Sequence, residues 1–278
     1  MSDIGIIGLI LIVLNVIFSY KGLKDALFFD NYKFEVDKIL ISKDHKRLIT
    51  SGFLHVSWLH LLFNMFSLYA FSGLLESHLG ASSFLLIYFT SLIGGDLLAL
   101  FVHRNHGDYS SVGASGAICG IIFASIALFP DLGIGMFGLP ISIPGWIYGL
   151  VYVLYSIYGI KSKKDNIGHE AHLGGALIGL VMAILLQPMA FTQNYFTILI
   201  IAMPTVVFIY LIIARPHVLM IDNLYYESHN RYYNIDDKYN AERANKQKEL
   251  DKLLDKISLK GIDSLSKKER QRLEELSK

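Results

Sequence analysis

Seven stretches of this chain are long enough and apolar enough to cross a lipid bilayer as helices. They lie at residues 4–20, 56–75, 83–102, 113–129, 141–160, 169–186 and 195–214. A helix needs roughly 17 to 25 mostly apolar residues to cross a bilayer core, where its backbone polar groups must all bond inside the protein. The hydrophobic fraction of 53% and the mean hydropathy of +0.44 also exceed those of an ordinary soluble domain. We predict an all-α polytopic membrane protein.

The composition changes abruptly after Pro216, because residues 217–278 are charged throughout and cannot enter the bilayer. We therefore predict a membrane domain at 1–214 and a soluble tail at 217–278. Within the tail, apolar residues at helical spacing predict a short helix near 236–260, and a capping-box pattern predicts a second helix after Ser266. The alternative is a solvated charged appendage, and the partner of the tail stays unknown.

Charge and cysteine content exclude several protein classes. The net charge is +1, from 25 Lys and Arg against 24 Asp and Glu, so no nucleic-acid partner is expected. The single cysteine, Cys119, allows neither a disulfide within the chain nor a CxxC metal site.

The N-terminal segment lacks the pattern of a signal peptide, so residues 4–20 are interpreted as a retained first span. Residues 21–47 mix aromatic and charged side chains and are expected to lie in the membrane interface.

Polar side chains inside a span are costly and therefore mark functional candidates. The candidates are His55, His60, Asn64, Glu76, Asp96, Ser115, His169, Glu170 and His172. His60 and Asn64 are four residues apart and share one helix face. Neither the His55/His60 spacing nor the His169-Glu170-Ala171-His172 run has the HExxH arrangement of zinc sites, so we expect no metal and no cofactor.

Small residues recur every four positions in the fourth and sixth spans, at Gly116 and Gly120 and at Gly175 and Gly179. Such grooves let two helices pack backbone to backbone. Close packing here would bring the Ser115 hydroxyl within hydrogen-bond reach of the ring of His172, as a base-activated nucleophile requires. Taken separately, the glycines are more often packing devices, and a histidine in a span is as often a structural donor. Their combination favours a nucleophilic site.

Three motifs resemble those of the rhomboid family of intramembrane serine proteases, over roughly Arg47 to Gly179. The run 113–116 reads GASG and is similar to the family's GxSG nucleophile motif. The run 171–175 reads AHLGG and is similar to the helix that carries the general base. His55-x4-His60-x3-Asn64 resembles the signature of the second helix.

The resemblance implies a six-helix core at about 1–186 with one extra C-terminal span at 195–214. It implies Ser115 as nucleophile and His172 as base in a dyad without a third acid. For Asp96, the other deep acid, a structural role in hydrogen bonds to neighbouring helices is favoured over a catalytic one. It places His60, Asn64 and the Ser115 backbone N–H at the oxyanion hole. The supporting residues implied by the motifs are His55, Arg47, Glu76, Gly113, Gly116, Gly175 and Gly179.

The chain departs from the family pattern at two positions. Lys46 precedes Arg47 where the family usually has tryptophan. Cys119 stands one turn after the serine, where well-studied members carry an aromatic ring that stacks on the histidine. We therefore expect the base to be less firmly oriented in this chain.

The predicted function is cleavage of the transmembrane segments of membrane proteins by a serine endopeptidase. The main alternative is a non-proteolytic rhomboid-like factor that binds membrane proteins, which would be expected to have a broken dyad. A transporter or channel would instead distribute polar residues along a path across the bilayer.

Basic residues near the predicted spans lie on one side of the membrane only. This side holds thirteen Lys and Arg residues and the opposite side holds none: Lys21, Lys24, Lys33, Lys38, Lys43, Lys46, Arg47, Arg104, Lys161, Lys163, Lys164, Arg215 and Arg231. The positive-inside rule therefore places the tail and the mouth of the site in the cytoplasm, whereas most bacterial rhomboids are expected to open the other way. A bacterial cytoplasmic membrane is the predicted location.

Overall fold

The computed structural model describes residues 4–135, 142–162 and 167–214, and in the tail only Lys256, Ser266 and Leu273. The chain divides into two units, Met1–Tyr226 and Glu227–Lys278. All the elements described below belong to the first unit. Of the two helices predicted for the tail, the described residues include only Lys256 and Leu273, both of which are helical, and the rest of both helices lies outside the described residues.

Seven long helices and four short ones form the described part of the first unit. In chain order the helices are α1 (Ile6–Lys24), α2 (Ala26–Tyr32), α3 (Val36–Leu40), α4 (Arg47–Thr50), α5 (Trp58–Leu79), α6 (Ala81–Val102), α7 (Ser115–Leu128), α8 (Gly145–Ser162), α9 (His169–Leu186), α10 (Met189–Gln193) and α11 (Tyr195–Ala214), with a 3₁₀ turn at Ser51–Phe53. Two small antiparallel ribbons pair β1 (Phe34–Glu35) with β2 (Ser110–Ser111) and β3 (Gly133–Gly135) with β4 (Ser142–Pro144).

Each of the seven predicted spans coincides with one of the seven long helices, and the chain is an all-α polytopic membrane protein. By length and composition, five of these helices, α1, α5, α6, α9 and α11, could cross a membrane, whereas α7 and α8, which correspond to the fourth and fifth predicted spans, do not meet both conditions. Helix α7 has only 14 residues, but its residues from Gly116 to Ala127 are all buried by neighbouring helices. Because α7 is surrounded by protein and not by lipid, its short length is compatible with a place inside the membrane domain.

Some helix ends differ from the prediction. Helix α1 continues to Lys24, four residues beyond the predicted end of the first span. Lys21 and Lys24 occupy its last turn, where positive charge interacts favourably with the helix dipole and long side chains reach the membrane surface. The ammonium of Lys21 lies 4.4 Å from the ring centroid of Phe28, in the first turn of α2. The charged residues therefore extend the helix instead of ending it.

Helices α6, α7 and α9 form the centre of the molecule, and glycines set their close approach. A Cβ atom at Gly175 would collide with the carbonyl oxygen of Gly116, and one at Gly179 would collide with that of Gly120. A Cβ atom at Gly95 of α6 would likewise collide with the carbonyl oxygen of Ala171. The predicted backbone-to-backbone approach of the fourth and sixth spans is therefore present.

Helix α8 lies outside this centre and packs most extensively on α11. A Cβ atom at Gly149 would lie 2.8 Å from the Cδ1 atom of Ile201, and the rings of Trp146 and Phe196 meet edge to face at 6.2 Å. Just before α11, the side-chain amide of Asn194 donates to the carbonyl oxygens of Ala127 and Leu128 at the end of α7. The seventh span thus contacts both α7 and α8.

Candidate active site

Ser115 and His172 are in direct contact. The Oγ atom of Ser115 lies 2.6 Å from Nε2 of His172. Ser115 is the first residue of α7 and His172 lies in the first turn of α9, so the glycine contacts between these helices also set this distance. Both side chains are partly exposed, so the hydroxyl is accessible from outside the protein.

The backbone before Ser115 takes a conformation that favours glycine, since Gly113 has a φ of +136°. The first backbone hydrogen bond of α7 runs from the N–H of Ile118 to the carbonyl of Ala114. The N–H groups of Ser115, Gly116 and Ala117 therefore have no acceptor within the helix. Such a helix N-terminus attracts negative charge.

His60 lies beside this helix N-terminus. A Cβ atom at Gly113 would be 2.9 Å from Cε1 and 3.0 Å from Nε2 of the His60 ring. One turn later on α5, the amide of Asn64 donates to the backbone carbonyl of His60 over 3.1 Å. An amide has two N–H donors, and this bond uses one of them. The structure brings His60 close to Gly113 and Ser115, with Asn64 buried one turn away.

His55 precedes α5 and contacts His60 without sharing its helix face. Its ring is fully buried, meets the His60 ring edge to face at 4.8 Å, and has Nδ1 2.8 Å from the hydroxyl oxygen of Ser19 on α1. Burial, followed by the charge of His60, lowers the pKa of His55 to about 3. His55 is therefore neutral at ordinary pH and supports the His60 ring by contact.

Arg47 and Glu76 hold neighbouring segments and do not touch the dyad. The buried Arg47 guanidinium donates to the carbonyl oxygens of Asp30 and Lys33, over 2.8 and 2.7 Å, and to the Asp44 carboxylate over 3.0 Å. Arg47 therefore holds together parts of the segment 21–47, which was predicted to lie in the interface. It does so although the preceding residue is Lys46 and not tryptophan.

Glu76 lies in the last turn of α5, at the end opposite to His60. Its carboxylate accepts hydrogen bonds from the backbone N–H groups of Ile7 and Gly8, both over 3.0 Å. These are donors of the first turn of α1, which a helix cannot satisfy internally. Glu76 thus caps the first span from a neighbouring helix.

Tyr152 of α8 is the site residue that the sequence analysis missed. Its hydroxyl oxygen lies 3.0 Å from Nδ1 of His172 and 3.0 Å from the sulfur of Cys119. An aromatic residue of another helix therefore reaches the His172 ring, so Cys119, one turn after Ser115, does not leave Nδ1 without a partner. The available signal was the spacing of Tyr148, Tyr152 and Tyr155, which share one face of the fifth span.

The other polar candidates bond elsewhere. The Asp96 carboxylate accepts from the Ser51 hydroxyl over 3.0 Å, and a Glu170 oxygen lies 3.3 Å from Nε2 of His103. His169 packs edge to face on Tyr155 at 5.2 Å. Across the described ranges, no three His, Cys, Asp or Glu residues are grouped so that they could hold a metal ion.

Two family models match the chain. The Rhomboid domain matches residues 43–189, and a family of unknown function, DUF6576, matches residues 233–278. The first match covers the region from α4 to the start of α10, and α11 lies beyond it.

Similar proteins come from mitochondria and from bacteria. Rhomboid protein 1, mitochondrial, of Saccharomyces cerevisiae is 30% identical over 179 residues, covering 60% of this chain and 52% of that protein. Putative rhomboid protease YdcA of Bacillus subtilis is 36% identical over 141 residues, covering 50% and 66%. Rhomboid protease GlpG of Photorhabdus laumondii is 29% identical over 140 residues, covering 50% and 46%. The matched region spans about half to two thirds of the length of these relatives, and the chain belongs to the rhomboid family.

Proposed function

We propose that this chain is an intramembrane serine endopeptidase that cleaves transmembrane segments of other membrane proteins. The observation that carries the proposal is the 2.6 Å contact between Ser115 Oγ and His172 Nε2 at the N-terminus of a buried helix. A serine hydroxyl becomes an effective nucleophile when an adjacent base accepts its proton. The names of two relatives, which call them a putative protease and a protease, also support the proposal.

In the proposed reaction, Nε2 of His172 accepts the hydroxyl proton while Ser115 Oγ attacks the carbonyl carbon of a peptide bond. The oxygen of that carbonyl becomes negatively charged and accepts hydrogen bonds from the Ser115 N–H and from the side chains of His60 and Asn64. His172 then donates its proton to the departing amine, and a water molecule activated by the same ring hydrolyses the acyl-enzyme.

The dyad needs no third acid in this proposal. Asp96 and Glu170 are engaged by Ser51 and by His103, which supports a structural role for both acids. The orientation of His172 must then come from a different kind of group, and the contacts of Tyr152 supply one.

The proposed substrates are transmembrane segments that unwind locally, because the peptide bonds inside a stable helix are shielded from attack. Ser115 and His172 both lie at helix ends and next to loops, which gives water a short path to the acyl-enzyme. The proposed location is a bacterial cytoplasmic membrane, which the bacterial relatives support.

A fluorophosphonate probe tests the proposed activity, because it labels a serine whose hydroxyl is activated. The protein purified in detergent should be labelled, and Ser115→Ala and His172→Ala should each abolish both labelling and cleavage of a reporter transmembrane substrate. The exposed Ser77 offers a matched control, and Ser77→Ala should behave as the wild type. A folded wild-type protein that binds membrane proteins without labelling would favour the non-proteolytic alternative instead.

The orientation is tested separately. A cysteine placed in the tail, on a Cys119→Ser background, should resist a membrane-impermeant thiol reagent in intact cells and react after permeabilisation, because the basic side is proposed to face the cytoplasm. Labelling in intact cells would reverse the orientation and leave the Ser115–His172 mechanism unaffected.

A further inference from the structure

We propose that Tyr152 is the positioning residue of the proposed base. Its hydroxyl accepts the Nδ1 hydrogen of His172 and so keeps the Nε2 lone pair directed at Ser115. The inference rests on the proposed function, because it assigns a role only if Ser115 and His172 react as a dyad. Its basis is the 3.0 Å distance between the Tyr152 hydroxyl oxygen and Nδ1.

The direction of each hydrogen bond follows from the first one. For Ser115 to donate to Nε2 of His172, Nε2 must be unprotonated, so a neutral ring carries its hydrogen on Nδ1. Nδ1 then donates to the Tyr152 hydroxyl oxygen. The hydroxyl hydrogen of Tyr152 is left for a different acceptor.

The sulfur of Cys119 is that acceptor, 3.0 Å from the Tyr152 hydroxyl oxygen. Without an acceptor at position 119, the hydroxyl would be able to turn and donate to Nδ1. That change would move the ring hydrogen to Nε2, where it would block proton transfer from Ser115. Cys119 therefore favours the reactive tautomer through Tyr152.

The hydroxyl makes the contact, and the ring faces are not stacked. The centroids of the Tyr152 and His172 rings are 6.3 Å apart and the ring planes are tilted by 33°. The Tyr152 ring is itself held by Tyr148, stacked at 6.0 Å, and by Phe123, edge to face at 5.8 Å. Tyr152→Phe should keep these ring contacts and lose only the hydroxyl.

Tyr148 provides a matched control variant. It lies one turn before Tyr152 on the same helix and stacks on it, yet its own role in the contacts above is confined to its ring. Tyr148→Phe therefore removes a hydroxyl from the same helix and the same kind of packing environment without changing the groups around Nδ1 of His172.

The test separates the binding and the reaction of a fluorophosphonate probe, by measuring its maximal labelling rate and its half-saturating concentration. Tyr152→Phe should lower the maximal rate about 10- to 100-fold, since the Nδ1 donor of His172 loses its acceptor, with little change in the half-saturating concentration. Tyr148→Phe should stay within about twofold of the wild type. Cys119→Ala should lower the rate a few-fold and Cys119→Ser should restore it, because a serine hydroxyl also accepts from Tyr152.

A double variant gives the strictest comparison. If Cys119 acts through Tyr152, then Cys119→Ala should have no further effect in a Tyr152→Phe background. Wild-type labelling rates in Tyr152→Phe would overturn the inference and leave the proposed protease intact. A Tyr152→Phe variant whose half-saturating concentration rises and whose thermal stability falls together with its labelling rate would also overturn it, because those changes would indicate a packing role. A wild-type protein that does not label would overturn the proposed function itself.

Discussion

The two helices that supply partners to His172 are held in place by different kinds of contact. Helix α7, which carries Ser115, meets α9 through glycines whose added Cβ atoms would collide with backbone carbonyl oxygens. Helix α8, which carries Tyr152, packs most extensively on α11, where a Cβ atom at Gly149 would meet the end of the Ile201 side chain. Backbone contacts allow no rotamer change, whereas a side chain can move. The serine is therefore fixed more rigidly to the base than the tyrosine is.

The largest expected effect comes from disrupting the glycine-mediated contact between α7 and α9. Gly175→Leu should separate α7 from α9, because its Cβ would collide with the carbonyl oxygen of Gly116. Both thermal stability and probe labelling should be lost, as measured by a melting curve in detergent and by fluorophosphonate reaction. Val181→Leu, on an exposed position of the same helix, is the control and should melt and label normally. Normal melting of Gly175→Leu would show that the glycine contacts do not determine this approach.

A smaller but still large effect is expected at the proposed oxyanion donors, one of which belongs to the backbone and one to a side chain. The Ser115 N–H is part of the α7 backbone, whereas His60 reaches the site as a side chain next to Gly113. His60→Ala should lower kcat for a reporter substrate by about 10²- to 10³-fold with little change in KM, because these contacts act mainly in the transition state.

His78→Ala is the matched control for that measurement, since His78 is an exposed histidine near the other end of α5. It should leave kcat unchanged. A rise in KM of His60→Ala that accounts for the whole loss would instead indicate a structural or substrate-binding role for His60.

Disturbing the contact between α8 and α11 at Gly149 and Ile201 should have a moderate effect. Gly149→Leu places a side chain where the Cδ1 atom of Ile201 lies 2.8 Å from the added Cβ. Ile201 can move at a cost of about 1 to 3 kcal/mol, so the protein should still fold. Because α8 would shift relative to α9, the labelling rate should fall by roughly tenfold or less.

Shortening the side chain of Ile201 distinguishes a shift of α8 from a general loss of folding. Ile201→Ala should partly restore the labelling rate of Gly149→Leu, because it opens the space that leucine requires. A Gly149→Leu protein that is as unstable as Gly175→Leu would remove the distinction between the two contacts.

The effect that is smallest at neutral pH concerns the contact of His55 with His60, and it grows as the pH falls. The pKa of His55 is about 3 in the folded protein and 6.5 for the unperturbed side chain, so between these values the unfolded state binds the additional proton. Stability should therefore fall as the pH falls from about 6.5 toward 3, by at most about 1.4 kcal/mol per pH unit. Thermal midpoints of the wild type and His55→Asn, measured across this range, should differ in slope. The exposed His45 provides the control, and a His45→Asn slope equal to that of His55→Asn would contradict the assignment.

Much of the fold could be predicted because the signals are local in the sequence. A span is recognised from the apolar content of a single segment, and all seven predicted spans coincide with helices. The helix ends were less predictable, as α1 shows, because Lys21 and Lys24 are compatible with either a last helical turn or a loop.

The glycine pairs were also readable from the sequence, since a four-residue spacing places Gly175 and Gly179 on one face of a helix. The spacing predicted that a partner helix would approach closely, and it favoured contact between Ser115 and His172. The assignment of these two residues as nucleophile and base stays a prediction until labelling is measured.

The sequence by itself determined where the seven long apolar helices lie and which motifs indicate a serine and a histidine at a shared site. Only the tertiary structure decided which groups surround those residues. Cys119 occupies the position where well-studied rhomboids carry an aromatic ring, and the hydroxyl next to Nδ1 of His172 comes from Tyr152, 37 positions beyond Ser115 in the chain. That contact requires α8 to present Tyr152 toward α9, and α8 packs on both α9 and α11. These packing contacts depend on many side chains distant in sequence, whereas hydropathy and residue spacing describe one helix at a time.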